Sequence, residues 1–210
     1  MNTSMHDVSA VMKLAPIIPV LTVARVEDAR PLAEALVAGG LYALEVTLRT
    51  PAALDVVRAM ADVKGAVVGA GTVLNTKDFA AAHAAGAKFI VTPGLSERVV
   101  ADAGAAGAPI LPGVATASEV MRGLDLGLTH FKFFPAEQAG GAPMLKAFSG
   151  PFQTARFCPT GGVTLENART YLSLPNVLCA GGSWIATPDQ IAAGDWTGIT
   201  ARARAAASLR

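Results

Sequence analysis

One lysine lies inside a predicted strand, and a lysine at such a position calls for a chemical explanation. Lys132 is part of the run Thr129–Gly141, "THFKFFPAEQAGG", between Phe131 and Phe133. The other five of the six lysines fall in predicted helices or loops or at a strand entrance. Burial disfavours an ammonium ion and favours the neutral amine, which is the form that attacks a carbonyl group. The position of Lys132 therefore predicts a nucleophile.

A carboxylate interrupts an earlier apolar run in the same way. Glu45 lies in "LEVTLRT", and Arg49 follows just past the end of that strand. Inward side chains of one barrel layer come from alternate strands, so the second and sixth strands can place Glu45 and Lys132 in one layer. A carboxylate beside a nucleophilic amine suits general acid–base catalysis. The alternative is a structural ion pair in the core.

Eight strand-like runs alternate with Ala-rich helical segments, and these elements must position the two side chains. The runs are Ile17–Leu21, Ala43–Thr47, Ala66–Ala70, Phe89–Thr92, Ile110–Pro112, Phe131–Phe134, Arg156–Pro159 and Val177–Ala180. Many helical segments begin with an acid or capping residue and end with glycine, which are helix start and stop signals. The alternation predicts an α/β fold with a parallel sheet and right-handed crossovers.

At this length the closed form of such a sheet is a (β/α)8 barrel, the TIM barrel. We expect residues 1–210 to form a single domain, in which residues 1–14 make an extra N-terminal helix that caps the bottom of the barrel. An open six-stranded sheet with nucleotide chemistry is the alternative. The glycine run "GAGTV" (Gly69–Val73) argues against it, because it lacks the G-x-G-x-x-G spacing.

The last two strands both end in paired glycines. Thr160, Gly161 and Gly162 close "CPTGG", and Gly182 and Ser183 fall in "AGGSW". Barrels often bind phosphate between these two loops through backbone N–H groups. Glycines there let the backbone approach the phosphate closely, although glycines also serve ordinary tight turns.

Composition narrows the class of protein. The 210 residues are 52% hydrophobic and 16% charged with a net charge of +1, which is too neutral for a nucleic-acid-binding protein. The uncharged stretch 170–188 is broken by proline and glycine, so no membrane span is expected. Cys158 and Cys179 lie in apolar runs and suggest reduced thiols in a cytoplasmic protein. The three histidines are far apart and form no ligand-spaced pair, so neither a metal nor another cofactor is expected.

Taken together, these motifs resemble the 2-keto-3-deoxy-6-phosphogluconate (KDPG) aldolase family. The motifs are "LEVTLRT", "GAGTVLN", "TPGLSE", "FKFFPAE", "RFCPTGG" and "GGSW", and the similarity extends from about Pro16 to Trp196. The resemblance implies a metal-free class I aldolase, a (β/α)8 barrel, a homotrimer and a phosphorylated keto-acid substrate. Such an enzyme yields pyruvate and glyceraldehyde 3-phosphate, the closing cleavage of the Entner–Doudoroff pathway.

Carried over by position, the resemblance makes Lys132 the Schiff-base lysine and Glu45 the general acid/base. The residues expected around the pyruvate half and the carbon skeleton of the substrate are Arg49, Thr72, Pro93 and Phe134. The residues expected at the phosphate end are Thr160, Gly161, Gly162, Gly182 and Ser183. Two departures from the family pattern, Ser96 in "TPGLSE" and "LTVARV" after the first strand, lie away from the catalytic pair.

Several rival activities remain open at this point. The same iminium chemistry serves the galactonate epimer, 4-hydroxy-2-oxoglutarate and oxaloacetate decarboxylation. A metal-dependent phosphosugar epimerase requires His and Asp ligands at strand ends, which this sequence lacks. A non-catalytic phosphosugar-binding protein would use Lys132 only as a ligand contact.

Overall fold

Strands and helices alternate through residues 8–209, the part of the chain that the computed structural model describes. The strands are β1 (Ile17–Leu21), β2 (Ala43–Thr47), β3 (Val67–Gly71), β4 (Ile90–Val91), β5 (Ile110–Leu111), β6 (Gly113–Val114), β7 (His130–Phe133), β8 (Arg156–Pro159) and β9 (Ala180–Gly182). The helices are α1 (Val8–Met12), α2 (Ala29–Ala38), α3 (Ala53–Ala61), α4 (Thr76–Ala84), α5 (Glu97–Ala106), α6 (Ala117–Asp125), α7 (Gly141–Phe148), α8 (Ala168–Leu172), α9 (Pro188–Ala192) and α10 (Trp196–Ala207), with a 3-10 turn at Val26–Asp28. The predicted α/β class is confirmed.

The strands pair in parallel in two ladders. One ladder has the order β5-β4-β3-β2-β1-β9 and the other the order β6-β7-β8. Pro112 separates β5 from β6, since proline has no N–H for the ladder, and its carbonyl accepts a hydrogen bond from the Lys132 N–H. Isolated parallel bridges, Phe157 with Val177 and Thr160 with Gly181, connect β8 to the β9 segment.

Five of the eight predicted strands have other bounds in the structure. β3 and β7 are each displaced by one residue from the predicted Ala66–Ala70 and Phe131–Phe134, and β4 is shorter than the predicted Phe89–Thr92. The predicted fifth strand, Ile110–Pro112, is β5 without its proline, and β6 follows that proline as a further strand. The predicted eighth strand, Val177–Ala180, is wrong in position: β9 begins at Ala180 and continues to Gly182, while Val177 forms only a bridge. Glycines have low strand propensity, but here they pair with Ile18 and Pro19 of β1.

Helix α1 packs against apolar side chains of the strands. Val8, Val11 and Met12 of α1 join an apolar cluster that includes Ile18 and Phe89. The cluster lies toward the beginnings of the strands, because α1 directly precedes β1. Residues 1–7 of the predicted N-terminal helix, 1–14, lie outside the described residues, and α1 ends at Met12, two residues before the predicted end.

Helix starts follow local capping signals. Thr116 accepts a hydrogen bond from the Glu119 N–H while the Glu119 carboxylate accepts one from the Thr116 N–H, which is a capping box at α6. Ser96, one of the two departures from the family pattern, accepts a hydrogen bond from the Val99 N–H and caps α5. Serine and threonine are both good capping residues. No helix within residues 8–209 is long and apolar enough to cross a membrane.

Candidate active site

Lys132 of β7 and Glu45 of β2 meet although their strands belong to different ladders. Lys132 Nζ lies 3.1 Å from Glu45 Oε1. The two residues are only 5% and 3% exposed, so water solvates neither head group well. A buried ion pair does little for stability, because desolvation offsets most of the attraction between the charges. The arrangement is therefore better explained by chemistry than by folding.

Glu45 can occupy this position because the neighbouring strand has no side chain there. A methyl group added at Gly71 of β3 would lie 2.7 Å from both Cγ and Cδ of Glu45. Real side chains do not approach so closely, so any larger residue would displace the carboxylate. Sequence reasoning missed this role, although Gly71 is the second glycine of the quoted "GAG" motif.

The aromatic residues around Lys132 have two different functions. Phe131 and Phe133 lie on the opposite face of β7, where Phe131 packs against Phe157 and Phe133 against Phe148. Phe134, one residue past the strand, holds its ring centroid 5.2 Å from Lys132 Nζ. A ring face at this distance attracts an ammonium ion. Phe134 is thus the ring that lies over the amine, while Phe131 and Phe133 pack against other phenylalanines.

A cavity of about 120 Å³ opens beside this pair. Seven predicted site residues are brought together around it, namely Lys132, Arg49, Phe134, Thr160, Gly161, Gly162 and Ser183. Three further lining residues were not predicted, namely Val20, Val163 and Gly181. Gly181 is the first glycine of the "GGS" motif. The motif indicated a site here, but the sequence analysis chose the second glycine, Gly182, as the site residue.

Arg49 supplies positive charge at the mouth of the cavity. Its side chain is exposed, and within residues 8–209 it has no hydrogen-bond or ion-pair partner. A guanidinium without a partner can bind a carboxylate through two parallel hydrogen bonds. Arg49 is thus suited to hold an anionic group of a bound molecule.

The Thr160–Gly162 loop presents its backbone to the cavity. Gly161 and Gly162 have φ angles of +99° and +78°, which glycine adopts without steric cost. The Gly161 carbonyl accepts a hydrogen bond of 3.1 Å from the Glu137 N–H. The Gly162 carbonyl accepts one of 3.0 Å from Asn167 Nδ2. With both carbonyls held by the protein, the loop has a fixed shape on which backbone N–H groups are available for an anion.

Besides Glu45, three predicted residues are not among those that line the cavity. Thr72 directly follows β3 and has a φ of +60°, a left-handed conformation that is uncommon for threonine and often marks a functional site. Pro93 lies against the backbone of Gly113. Gly182 lies against the ring of Trp184. A methyl group added at Gly182 would be 2.5 Å from carbon atoms of that ring.

Possible metal ligands and the two cysteines were compared with the predictions. Within residues 8–209 no three His, Cys, Asp or Glu side chains are grouped closely enough to hold a metal ion. Cys158 and Cys179 are both buried and unbridged, as predicted for reduced thiols.

Comparison with known proteins assigns this fold and site to a family. The family model described as KDPG and KHG aldolase matches residues 8–202. The 2-dehydro-3-deoxy-phosphogluconate aldolase of Zymomonas mobilis is 53% identical over 206 residues, which cover 98% of each chain. The chain belongs to the KDPG and KHG aldolase family.

Solved structures agree with this assignment. The Zymomonas mobilis 2-keto-3-deoxy-6-phosphogluconate aldolase with 3-phosphoglycerate has a TM-score of 0.94 and 52% identity, covering 99% of this chain and 98% of its own. The KDPG aldolase of Legionella pneumophila, with pyruvate captured at low pH as a covalent carbinolamine intermediate, has a TM-score of 0.92 and 45% identity, covering 99% of this chain and 100% of its own.

Proposed function

We propose that this chain is a class I aldolase that cleaves KDPG into pyruvate and D-glyceraldehyde 3-phosphate. The observation that carries the proposal is the buried contact of 3.1 Å between Lys132 Nζ and Glu45 Oε1 beside a cavity. It joins a nucleophile and a proton carrier at one reacting centre. The close relatives named as this aldolase support the choice of substrate.

Binding begins with the two charged ends of the substrate. Arg49, together with Thr72 and Pro93, surrounds the pyruvate half and holds its carboxylate. Phe134 packs against the carbon skeleton. Thr160, Gly161, Gly162, Gly182 and Ser183 receive the phosphate end. This remote binding energy helps to align the bond that breaks.

Lys132 then forms the covalent intermediate. Glu45 accepts a proton from the Lys132 ammonium group, and the freed amine adds to the C2 ketone to give a carbinolamine. Glu45 returns that proton to the carbinolamine hydroxyl, which leaves as water, so that Glu45 is again a carboxylate and an iminium ion joins Nζ and C2. The positive nitrogen is an electron sink, so the next step avoids a free carbanion.

Cleavage uses the same two residues. Glu45 takes the proton of the C4 hydroxyl, the electron pair of the C3–C4 bond moves toward the iminium, and glyceraldehyde 3-phosphate leaves. Glu45 returns a proton to C3 of the enamine, and water hydrolyses the resulting iminium to release pyruvate and Lys132. Every proton and electron pair is accounted for without an added cofactor.

The proposal extends to the assembly. The bridges between β8 and β9 support closure of the two ladders into one (β/α)8 barrel, with α1 at its bottom. The chain then forms a single domain over residues 1–210 and a homotrimer that acts in the cytoplasm in the Entner–Doudoroff pathway. Sedimentation equilibrium tests the trimer, since a monomer mass at micromolar concentration would contradict it.

Trapping the intermediate tests the mechanism directly. The protein is incubated with pyruvate and borohydride in excess chelator, and the modified peptide is mapped by mass spectrometry. The expected product is a reduced pyruvyl adduct on Lys132. A folded protein that gives no adduct would return the non-catalytic sensor and the metal enzyme to consideration. Cleavage rates on the gluconate and galactonate epimers then identify the preferred substrate.

A further inference from the structure

A tyrosine and a glutamate outside the cavity are joined behind its glycine loop. The Tyr171 hydroxyl, on α8, donates a hydrogen bond to Glu137 Oε1. Tyr171 is 1% exposed, whereas Glu137 lies in the exposed segment that follows β7. Burial, and secondly the hydrogen bond to Glu137, raises the pKa of Tyr171. The hydroxyl therefore stays protonated and remains a donor throughout the ordinary pH range.

Glu137 in turn supports the loop that faces the phosphate end. A methyl group added at Gly162 would lie 2.5 Å from Glu137 Cγ and 2.8 Å from Glu137 Cβ, so the side chain packs directly under that glycine. The Glu137 N–H donates to the Gly161 carbonyl. Glu137 thus fixes the glycine pair through both its backbone and its side chain.

Neither residue is among those that line the cavity. Glu137 joins two loops through its contacts with the glycine pair. Glu137 belongs to the segment after β7, the strand of Lys132, while the glycines follow β8. The hydrogen bond from Tyr171 connects Glu137 to helix α8.

We propose that Tyr171 and Glu137 are positioning residues that hold the Gly161–Gly162 loop in the shape that binds the phosphate group of the substrate. This proposal rests on the proposed function, because it assigns the phosphate to that loop. It predicts a selective role: loss of the pair weakens binding of phosphorylated ligands and leaves the chemistry at Lys132 unchanged.

Tyr171→Phe tests the proposal, because it removes only the hydroxyl. Hydrogen bonds to charged groups are among the stronger ones, so we expect KM for KDPG to rise roughly tenfold while kcat changes less than about twofold. Cleavage of 4-hydroxy-2-oxoglutarate, which has no phosphate, keeps its kcat/KM. Tyr42→Phe is the matched control, since Tyr42 is the other tyrosine and is 40% exposed.

Glu137→Gln and the double variant test whether the two residues act as one unit. Residues that act through one contact are not additive, so the double variant should raise KM for KDPG no further than the larger single change. An equal loss on both substrates would overturn the proposal, because the pair would then support Lys132 or the fold in general. Unchanged KM for KDPG in Tyr171→Phe would overturn it too.

A binding measurement keeps this proposal separate from the catalytic one. Calorimetry with glycerol 3-phosphate, a phosphate ester that cannot be cleaved, should give a dissociation constant roughly tenfold weaker in Tyr171→Phe than in the wild type. Equal affinity, or no binding to the wild type, would overturn the positioning role. Failure of the wild type to cleave KDPG would instead overturn the proposed function. Thermal unfolding verifies that each variant is folded.

Discussion

The buried residues of the two ladders and of α1 include two regions of opposite character. Near the cavity, Lys132 and Glu45 bury charges at 5% and 3% exposure. Toward the beginnings of the strands, the interior is an apolar cluster of Val8, Val11, Met12, Ile18, Ala43, Phe89, Val91, Leu111, Cys158 and Cys179. The two regions are adjacent, because Cys158 is the register partner of Lys132 in the β7–β8 pair.

The apolar cluster and the buried Lys132–Glu45 pair contribute differently to the molecule: the cluster stabilises the fold, and the pair serves the chemistry. Apolar burial stabilises a protein by about 25 cal/mol per Å², so the apolar cluster contributes to the stability of the fold. A buried ion pair breaks even at best against apolar residues of similar size. A fold that keeps such a pair next to a well-packed apolar cluster retains it for function. Substitutions in the two regions should therefore have different consequences.

Lys132→Ala gives the largest expected effect on the cavity side. Without the amine no Schiff base forms, so cleavage of KDPG should fall below detection. Lys88→Ala is the matched control, because Lys88 is exposed at the entrance to β4. A coupled assay for pyruvate measures both variants. Near-normal turnover of purified Lys132→Ala would refute the mechanism.

Glu45→Gln should lower turnover by about 10²–10⁴-fold, the usual scale for general acid–base catalysis. The amide keeps the shape of the side chain but carries no proton between the hydroxyl and the enamine. Glu34→Gln, on the surface of α2 beside Arg30, should leave kcat unchanged. If Glu45→Gln turns over at the wild-type rate, another group carries the proton.

Phe89→Ala tests the apolar region. Phe89 is fully buried, and truncation of such a ring costs about 3–5 kcal/mol of unfolding free energy. Urea unfolding measures this loss, and kcat per folded molecule should stay near the wild-type value. Leu74→Ala, at a residue 59% exposed, should change stability little. A large fall in kcat with unchanged stability would mean that the two regions are not separable.

The sequence predicted best the apolar runs with clear ends and the charged residues that interrupt such runs. Ile17–Leu21, Ala43–Thr47 and Arg156–Pro159 were predicted with the bounds that the structure has, because each is an apolar run with clear ends. Lys132 and Glu45 stood out as charges within such runs. The start of β9 was missed because its glycines pair through their backbones and leave no apolar pattern.

Contacts that depend on the absence of a side chain, or on distant partners, could not be predicted. Gly71 acts by leaving space for Glu45, and one glycine of a motif looks like any other in the sequence. Tyr171 and Glu137 are 34 positions apart, and no local pattern relates them. Only the packing of adjacent loops brings these residues together.

Gly71→Ala should lower turnover less than the two substitutions in the catalytic pair do, and it tests the boundary between the two regions. The added methyl group would lie 2.7 Å from Glu45 Cγ and Cδ, so the carboxylate must leave its present position beside Lys132. A displacement of this kind can lower turnover by up to about 10²-fold.

Gly104→Ala is the matched control, because Gly104 lies in α5 with no atom within 4 Å of the added methyl group. An exposed helical glycine gains about 0.4–1 kcal/mol of stability on this change, and kcat should not move. Measuring kcat and unfolding in both variants separates the two causes. If Gly71→Ala loses stability but retains kcat, the glycine serves packing alone; if it loses kcat and remains folded, the empty position beside Glu45 is a requirement of catalysis.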